Sequence, residues 1–313
     1  MAYLTDNEKD YILNNPQMSS RNIAVNLWGM PHRKSTINDF RERCREQNVT
    51  LHEGPKIAFI DVESQGTVAL THGRFKTNIS PKAVISEPYM LSYAVNWAHE
   101  PEDNVECLGL HHLPSWEVDH RDDLMLMENL WQVLDDADIV IAHNTSFDNQ
   151  IINARFAYWG IQPPSSYQMV CTLKSLRKHF RLPANSLDAA TRYFNLERKL
   201  DNAGIELWLR CYYGDEDAMD DMCAYNKGDI PTLRQLYYRI LPFIKGHPNA
   251  SHYYDDNQVR CRKCGSSSVV EIEGNYEYTA VSKFKTFRCE SCGGVQRERK
   301  SLHTKGKSSS VQV

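Results

Sequence analysis

The 313-residue chain has no apolar run near the roughly 18–20 residues needed to cross a bilayer. Its opening residues, Met1-Ala2-Tyr3-Leu4-Thr5-Asp6, are polar and carry no apolar signal stretch. These two absences exclude a membrane partner and point to the cytoplasm. No internal repeat is visible, which excludes a repeat architecture. Strong net charge is also missing, at −4, but the balance is uneven along the chain. Residues 1–55 are neutral, residues 56–250 carry −8 and residues 251–313 carry +4. Clustered carboxylates that hold cations would account for part of the acidic middle, and a solvated surface for the rest. A basic C-terminal module suits a phosphate backbone.

A hydrophobic content of 41% is enough to bury a core, and the length suits two or three modules. The first module, residues 1–50, has Thr5 and Glu8 at capping-box spacing, so a short helix is predicted to run to Asn14. Ser19 or Ser20 caps a second helix, Arg21 to Trp28, with Ile23, Ala24 and Leu27 on one face. Gly29-Met30-Pro31 turns the chain into a third, Lys34 to Glu46. Three short helices with tight turns are similar to a helix-turn-helix DNA binder, with Arg33, Lys34, Ser35, Thr36, Asn38 and Arg41 offered to a groove. Short helical trios also serve as protein-docking modules, which is the alternative reading.

From Lys56 to about residue 250, strand-like and helix-like runs alternate. Strands are predicted at Ile57–Ile60, Tyr89–Ala98, Val105–Leu110, Ile139–Ala142 and Tyr167–Thr172, and helices at Asp122–Leu134 and Asn149–Trp159. This order predicts an α/β layered domain with a mixed sheet and flanking helices. Asp61 and Glu63 follow the first strand two residues apart, and so share one side. Two such carboxylates repel unless a cation lies between them. Ile139–Ala142 runs into His143-Asn144-Thr145-Ser146-Phe147-Asp148, which puts an acid near the carboxyl edge of the sheet, where ligand sites gather. Tyr225 and Asp229, four apart in a helical stretch, share a helix face. Alone, Asp61 and Glu63 read as a solvated strand end and Asp229 as a helix-surface acid beside a half-buried tyrosine; the acid after the second strand strengthens the case.

Taken together, Asp-x-Glu, His-Asn-x-x-Phe-Asp and Tyr-x-x-x-Asp resemble the three motifs of the DnaQ-like 3′-5′ exonucleases, in the branch with a tyrosine in the third motif. Ser186-Leu187-Asp188, Gly246-His247-Pro248-Asn249 and the cysteine pairs extend the likeness towards a phage-encoded type, over about Lys56 to Cys292. The resemblance implies an RNase H-like fold and two Mg²⁺ or Mn²⁺ ions held by Asp61, Glu63, Asp148 and Asp229. It also implies Tyr225 orienting the attacking water and Asn144 in support. Many relatives carry Asp-Thr where this chain has Cys171-Thr172. Replication or recombination proteins would be partners, in a phage-infected or prophage-bearing cell.

Cys261-x₂-Cys264 and Cys289-x₂-Cys292, with a strand-rich gap, have the spacing of a closed structural Zn²⁺ site, a zinc ribbon over residues 251–302. Its Lys283, Lys285 and Arg288, with Phe284 and Phe287, suit single-stranded nucleic acid. The other five cysteines (Cys44, Cys107, Cys171, Cys211, Cys223) lack ligand spacing and read as buried thiols. His111-His112 and His120 lie in no motif; His143 reads as packing beside the acids. Trp97, Trp131 and Trp159 read as core. The polar tail, residues 303–313, is expected to be disordered. The leading reading is a 3′-5′ exonuclease of DNA. An exoribonuclease on the same fold, and a nonenzymatic DNA-binding regulator, are the alternatives.

Overall fold

A computed structural model describes residues 4, 6–15, 18–29, 37–38, 41, 54–73, 75, 78–196, 204–254, 256 and 258–302. The chain divides into two compact units, residues 1–52 with 56–236 and residues 53–55 with 237–313. Among the described residues no helix is long and apolar enough to cross a membrane.

The first unit opens with α1 (Asp6–Asn14) and α2 (Ser20–Trp28). Ser19 caps α2 by accepting the Asn22 N–H at 3.1 Å, and Gly29 ends it in the left-handed conformation. Ile12, Ile23, Ala24 and Ile37 form a small buried core with Leu4, and Leu27 and Trp28 pack against it. The predicted third helix, with Arg33 and Lys34, lies largely outside the described residues, as do Thr5, Cys44 and the 303–313 tail. Asn38 is exposed. Arg41 departs from its expected groove-facing role: its guanidinium donates to Ser20 Oγ (3.1 Å), Asn15 O (3.1 Å) and Met18 O (2.6 Å). The turn between the first two helices leaves backbone carbonyls that this one side chain satisfies.

The main sheet begins with β1 (Ile57–Gln65), is followed in the chain by a separate two-stranded sheet of β2 (Val68–Ala69) and β3 (Val84–Ser86), and continues with β4 (Tyr89–Trp97) and β5 (Glu106–Gly109). After these come α3 (Leu124–Asp136), β6 (Ile139–Ala142), α4 (Thr145–Trp159) and β7 (Gln168–Cys171). The strand order is β5-β4-β1-β6-β7, antiparallel on the first three and parallel from β1 to β7. β4 is buried from Tyr89 to Asn96. Leu126, Met127, Leu130 and Leu134 recur at helical spacing on α3 and bury one face in the main core, as do Ile152 and Phe156 of α4. The unit continues with α5 (Thr172–His179), α6 (Leu187–Tyr193), α7 (Ile205–Tyr212) and the long α8 (Glu216–Ile240), within which the unit boundary falls.

Two boundaries differ from the sequence expectation, and both matter. β1 runs five residues beyond Ile60, because β4 stays paired with it and a bulge after Glu63 absorbs the register shift. Asp61 and Glu63 therefore lie within a strand. α4 begins at Thr145 rather than Asn149, so Asp148 falls in its first turn. The three tryptophans are half-buried against the core, as read from the sequence. Trp159 donates to Asp123 Oδ1 at 2.6 Å and Trp131 to Gln162 O at 2.7 Å.

Asp123 ties these layers together. It is fully buried and also accepts the Met90 N–H (2.8 Å), Arg155 Nε (2.8 Å) and Arg155 Nη2 (2.6 Å). Replacing it would leave the Arg155 charge buried without its counter-ion. Asp123→Ala is expected to lower unfolding free energy by about 3–5 kcal/mol, read as a shift of the urea midpoint.

Candidate active site

Parallel pairing places the acids. Ile57 stands opposite Ile139 and Phe59 opposite Ile141, so Asp61 continues the strand to the level of His143, just past the end of β6. Asp61 and Glu63 pair with Ala94 and Ser92 of β4 and share one face. Asp229 reaches them from α8. Carboxylate oxygens of Asp61, Glu63 and Asp229 all lie within 4.8 Å of one another, although Asp229 is buried and the other two half-buried. Three carboxylates this close repel strongly without a cation. Oxygen donors of this kind suit a hard divalent ion.

Asp148 does not belong to that group of three. It is buried in the first turn of α4, and its Oδ2 has no hydrogen-bond partner. The N-terminal end of a helix favours a carboxylate, but desolvation outweighs this and pushes the Asp148 carboxyl up to about 7. The unsatisfied oxygen of this buried acid is one that a bound cation would satisfy. Asn144 precedes α4 in the left-handed conformation (φ 73°), which asparagine tolerates better than most residues, and it turns the chain sharply at the sheet edge.

Asp61, Asn144 and Asp229 line a cleft of about 560 Å³ with His143, Arg177, Asn185, Ser186 and Asp188. His143 is fixed on both sides: Nε2 donates to Asn185 O (3.1 Å), and Nδ1 lies 2.8 Å from Thr172 Oγ1. Its role is to hold the wall. Tyr225 is buried, with its ring edge-on to Trp208, whose Nε1 donates to Ser64 O at 3.1 Å. Arg177 and Asn185 were not singled out from the sequence. Arg177 falls in the basic run that closes α5, where it reads only as a favourable charge at a helix C-terminus.

Residues 103–241 match the family model RNase_H_2, of the RNase H superfamily. That span includes Asn144, Asp148, Tyr225 and Asp229. The five-stranded mixed sheet with its flanking helices fits an RNase H-like fold, and the match supports a nuclease-type activity as its class. No curated protein matches the chain.

The second unit carries the four cysteines. β8 (Val269–Tyr278), β9 (Lys283–Cys289) and β10 (Val295–Arg297) form an antiparallel sheet. Cys261 and Cys264 lie before it, and Cys289 ends β9 ahead of Cys292. Gly265 and Gly293 take positive φ at the two turns, and a Cβ on Gly265 would collide with the Tyr254 ring. Cys261 Sγ lies 3.7 Å from Cys292 Sγ, and Cys264 Sγ 3.6 Å from Cys289 Sγ. Zn–S bonds of about 2.3 Å in a tetrahedron would set the sulfurs roughly 3.8 Å apart, so the donor set fits one zinc ion. The Cys264 thiol and neighbouring N–H groups hold the Cys261 thiol well below its usual range.

The basic residues named for this unit are largely engaged. Lys285 pairs with Glu271 at 2.9 Å, Lys283 lies over the Tyr276 ring at 3.6 Å, and Arg288 donates to Gly293 O at 3.3 Å. Phe284 is buried under Arg297. A groove of about 740 Å³ is lined instead by His252, Arg260, Arg262, Phe287, Arg297 and Arg299 among others.

The raised Asp148 carboxyl has a consequence for stability. The metal-free folded chain binds this proton up to about pH 7, whereas the unfolded chain releases it near pH 4. Burial of this group therefore weakens the fold progressively as pH rises from about 4 to about 7, and by a constant amount above that. Asp148→Asn, assayed without divalent cations, is expected to raise the melting temperature at pH 8 by several degrees, with the gain vanishing near pH 4. Chelating zinc from the four-cysteine site is expected to unfold the cysteine-bearing sheet, read as loss of protection from proteolysis after residue 256 that the Cys261→Ser, Cys264→Ser chain shows without chelator.

Proposed function

We propose that the protein is a metal-dependent 3′-5′ exonuclease of DNA, single-stranded by preference. The observation that carries this reading is the convergence of Asp61 and Glu63 from a strand with Asp229 from a helix far along the chain. The motif order and the RNase H superfamily match over residues 103–241 support it. The four acids, Asp61, Glu63, Asp148 and Asp229, would hold two Mg²⁺ or Mn²⁺ ions. Such ions, when bound, stabilise the charge that builds on the attacking and leaving oxygens and lower the pKa of water.

The chain's own residues do the rest. Asp61 and Glu63 are held on a rigid central strand, so their spacing costs little ordering on substrate binding. Tyr225, one turn before Asp229 on the same helical face and packed edge-on against Trp208, would orient water for attack. Arg177 brings positive charge to the wall of an otherwise acidic cleft, where it meets a phosphate oxygen. His143 has its Nε2 proton committed to Asn185 O, and serves as a positioning residue for the Asn144 turn. The zinc-binding sheet, with its arginine-lined groove and Phe287, would hold the strand being degraded.

The test is degradation of 3′-labelled and 5′-labelled DNA and RNA of one sequence, with Mg²⁺, with Mn²⁺ and with chelator. Mononucleotides released from the 3′ end of DNA, abolished by chelator, are expected. Asp229→Asn is expected to lose more than about 100-fold in rate with an unchanged circular dichroism spectrum. A folded Asp229→Asn protein with wild-type activity would overturn the assignment, and degradation of RNA alone would move it to an exoribonuclease.

A further inference from the structure

β5 ends at Gly109, and the chain passes directly into the turn Leu110–His112, which sets two histidines at the sheet edge. α8 brings Asp220 and Cys223, three apart and so on one helix face. One ring nitrogen each from His111 and His112 and the Cys223 sulfur all lie within 4.8 Å of one another. The nuclease mechanism uses none of the three. We propose that His111, His112 and Cys223 form a further transition-metal site, of the zinc class, distinct from the carboxylate cleft and from the four-cysteine site.

His111 is built as a ligand. Its side chain is 8% exposed, and Nε2 lies 3.0 Å from Asp220 Oδ1. A carboxylate only accepts, so Nε2 carries the proton and Nδ1 keeps its lone pair. Metal-binding histidines characteristically have this carboxylate behind them. That Nδ1 is buried and has no hydrogen-bond partner. It closes over Gly109 together with the thiol: a Cβ at position 109 would lie 2.8 Å from His111 Nδ1 and 2.6 Å from Cys223 Sγ. A side chain there would force the ligands apart, so glycine is what lets them meet.

Cys223 is buried, and its thiol is hydrogen-bonded to that of Cys107, two residues before Gly109 on β5. A second sulfur therefore stands beside the first, outside the group of three, and the fourth position is left to water or an incoming ligand. His112 is exposed, and its Nδ1 accepts the Gly109 N–H at 3.1 Å. It is the ligand that moves on binding, and its exposure gives it room. Tetrahedral zinc sets nitrogen and sulfur ligands roughly 3.3–3.8 Å apart, so only a small closure is needed. Thiolate with imidazole selects zinc over magnesium. The ion would clamp the end of β5 to α8, two residues before Tyr225. The site stands whether or not the nuclease reading holds.

Zinc per chain decides the matter, measured by atomic emission on the full-length protein after equilibration with zinc and gel filtration. Wild type is expected to hold about two equivalents, one of them in the four-cysteine site. Cys223→Ser and His112→Ala are each expected to lose one, and Cys261→Ser with Cys264→Ser to lose the other. With Co²⁺ in place of zinc, the Cys223→Ser protein should lose part of the sulfur-to-cobalt absorption that wild type shows. His112→Ala alters an exposed residue and keeps the test open should the buried serine variant fail to fold. Equal zinc content in wild type and His112→Ala, or a single equivalent in wild type, would overturn the proposal.

Discussion

Like charges held together in a partly buried cleft constrain everything around them. Asp61, Glu63 and Asp229 bring carboxylate oxygens within 4.8 Å of one another, and Asp148 is buried with one oxygen unsatisfied. Such an arrangement is unfavourable in the bare chain, and it persists because the scaffold is over-determined elsewhere. The Asp123–Arg155 pair with Trp159 and the Met90 N–H locks α4 to β4. The long pairing of β1 with β4 keeps both strand acids extended through the bulge. A bound cation would relieve that repulsion.

The acidic middle and basic end of the chain acquire a physical meaning in this frame. Negative charge is concentrated around the carboxylate group, and the basic C-terminal module carries the complementary sign, although Arg260 and Arg297 in its groove are themselves paired with Asp256 and Glu277. The basic residues that look most available along a strand, Lys285 and Arg288, are taken up by local contacts. Strand alternation alone cannot tell a paired lysine from a free one.

Metal chemistry reaches further than paired Cys-x₂-Cys spacing suggests. The four ribbon cysteines announce themselves because their ligands are close in sequence. His111, His112 and Cys223 do not, since the thiol comes from a helix more than a hundred residues beyond the histidines, and Cys223 read alone is an ordinary buried thiol. The signal available beforehand was the adjacent histidine pair after a strand, which gains meaning only with a glycine beneath it and a carboxylate behind it.

The alternation of apolar runs, the capped second helix and the order of the three acidic motifs were legible from residues alone, because periodicity and capping are local and the motifs are short. Folding decided the rest. β1 extends past Ile60 because β4 supplies its partners, and α4 starts early because Asn144 accepts a left-handed turn that no periodicity reveals. Arg41 was consumed by three backbone and side-chain acceptors, and Arg177 was delivered to the cleft. The sequence by itself determined which chemical groups were available. Only the tertiary structure decided which of them meet, because mutual distance between remote residues is a property of packing, and packing is not written in any one segment.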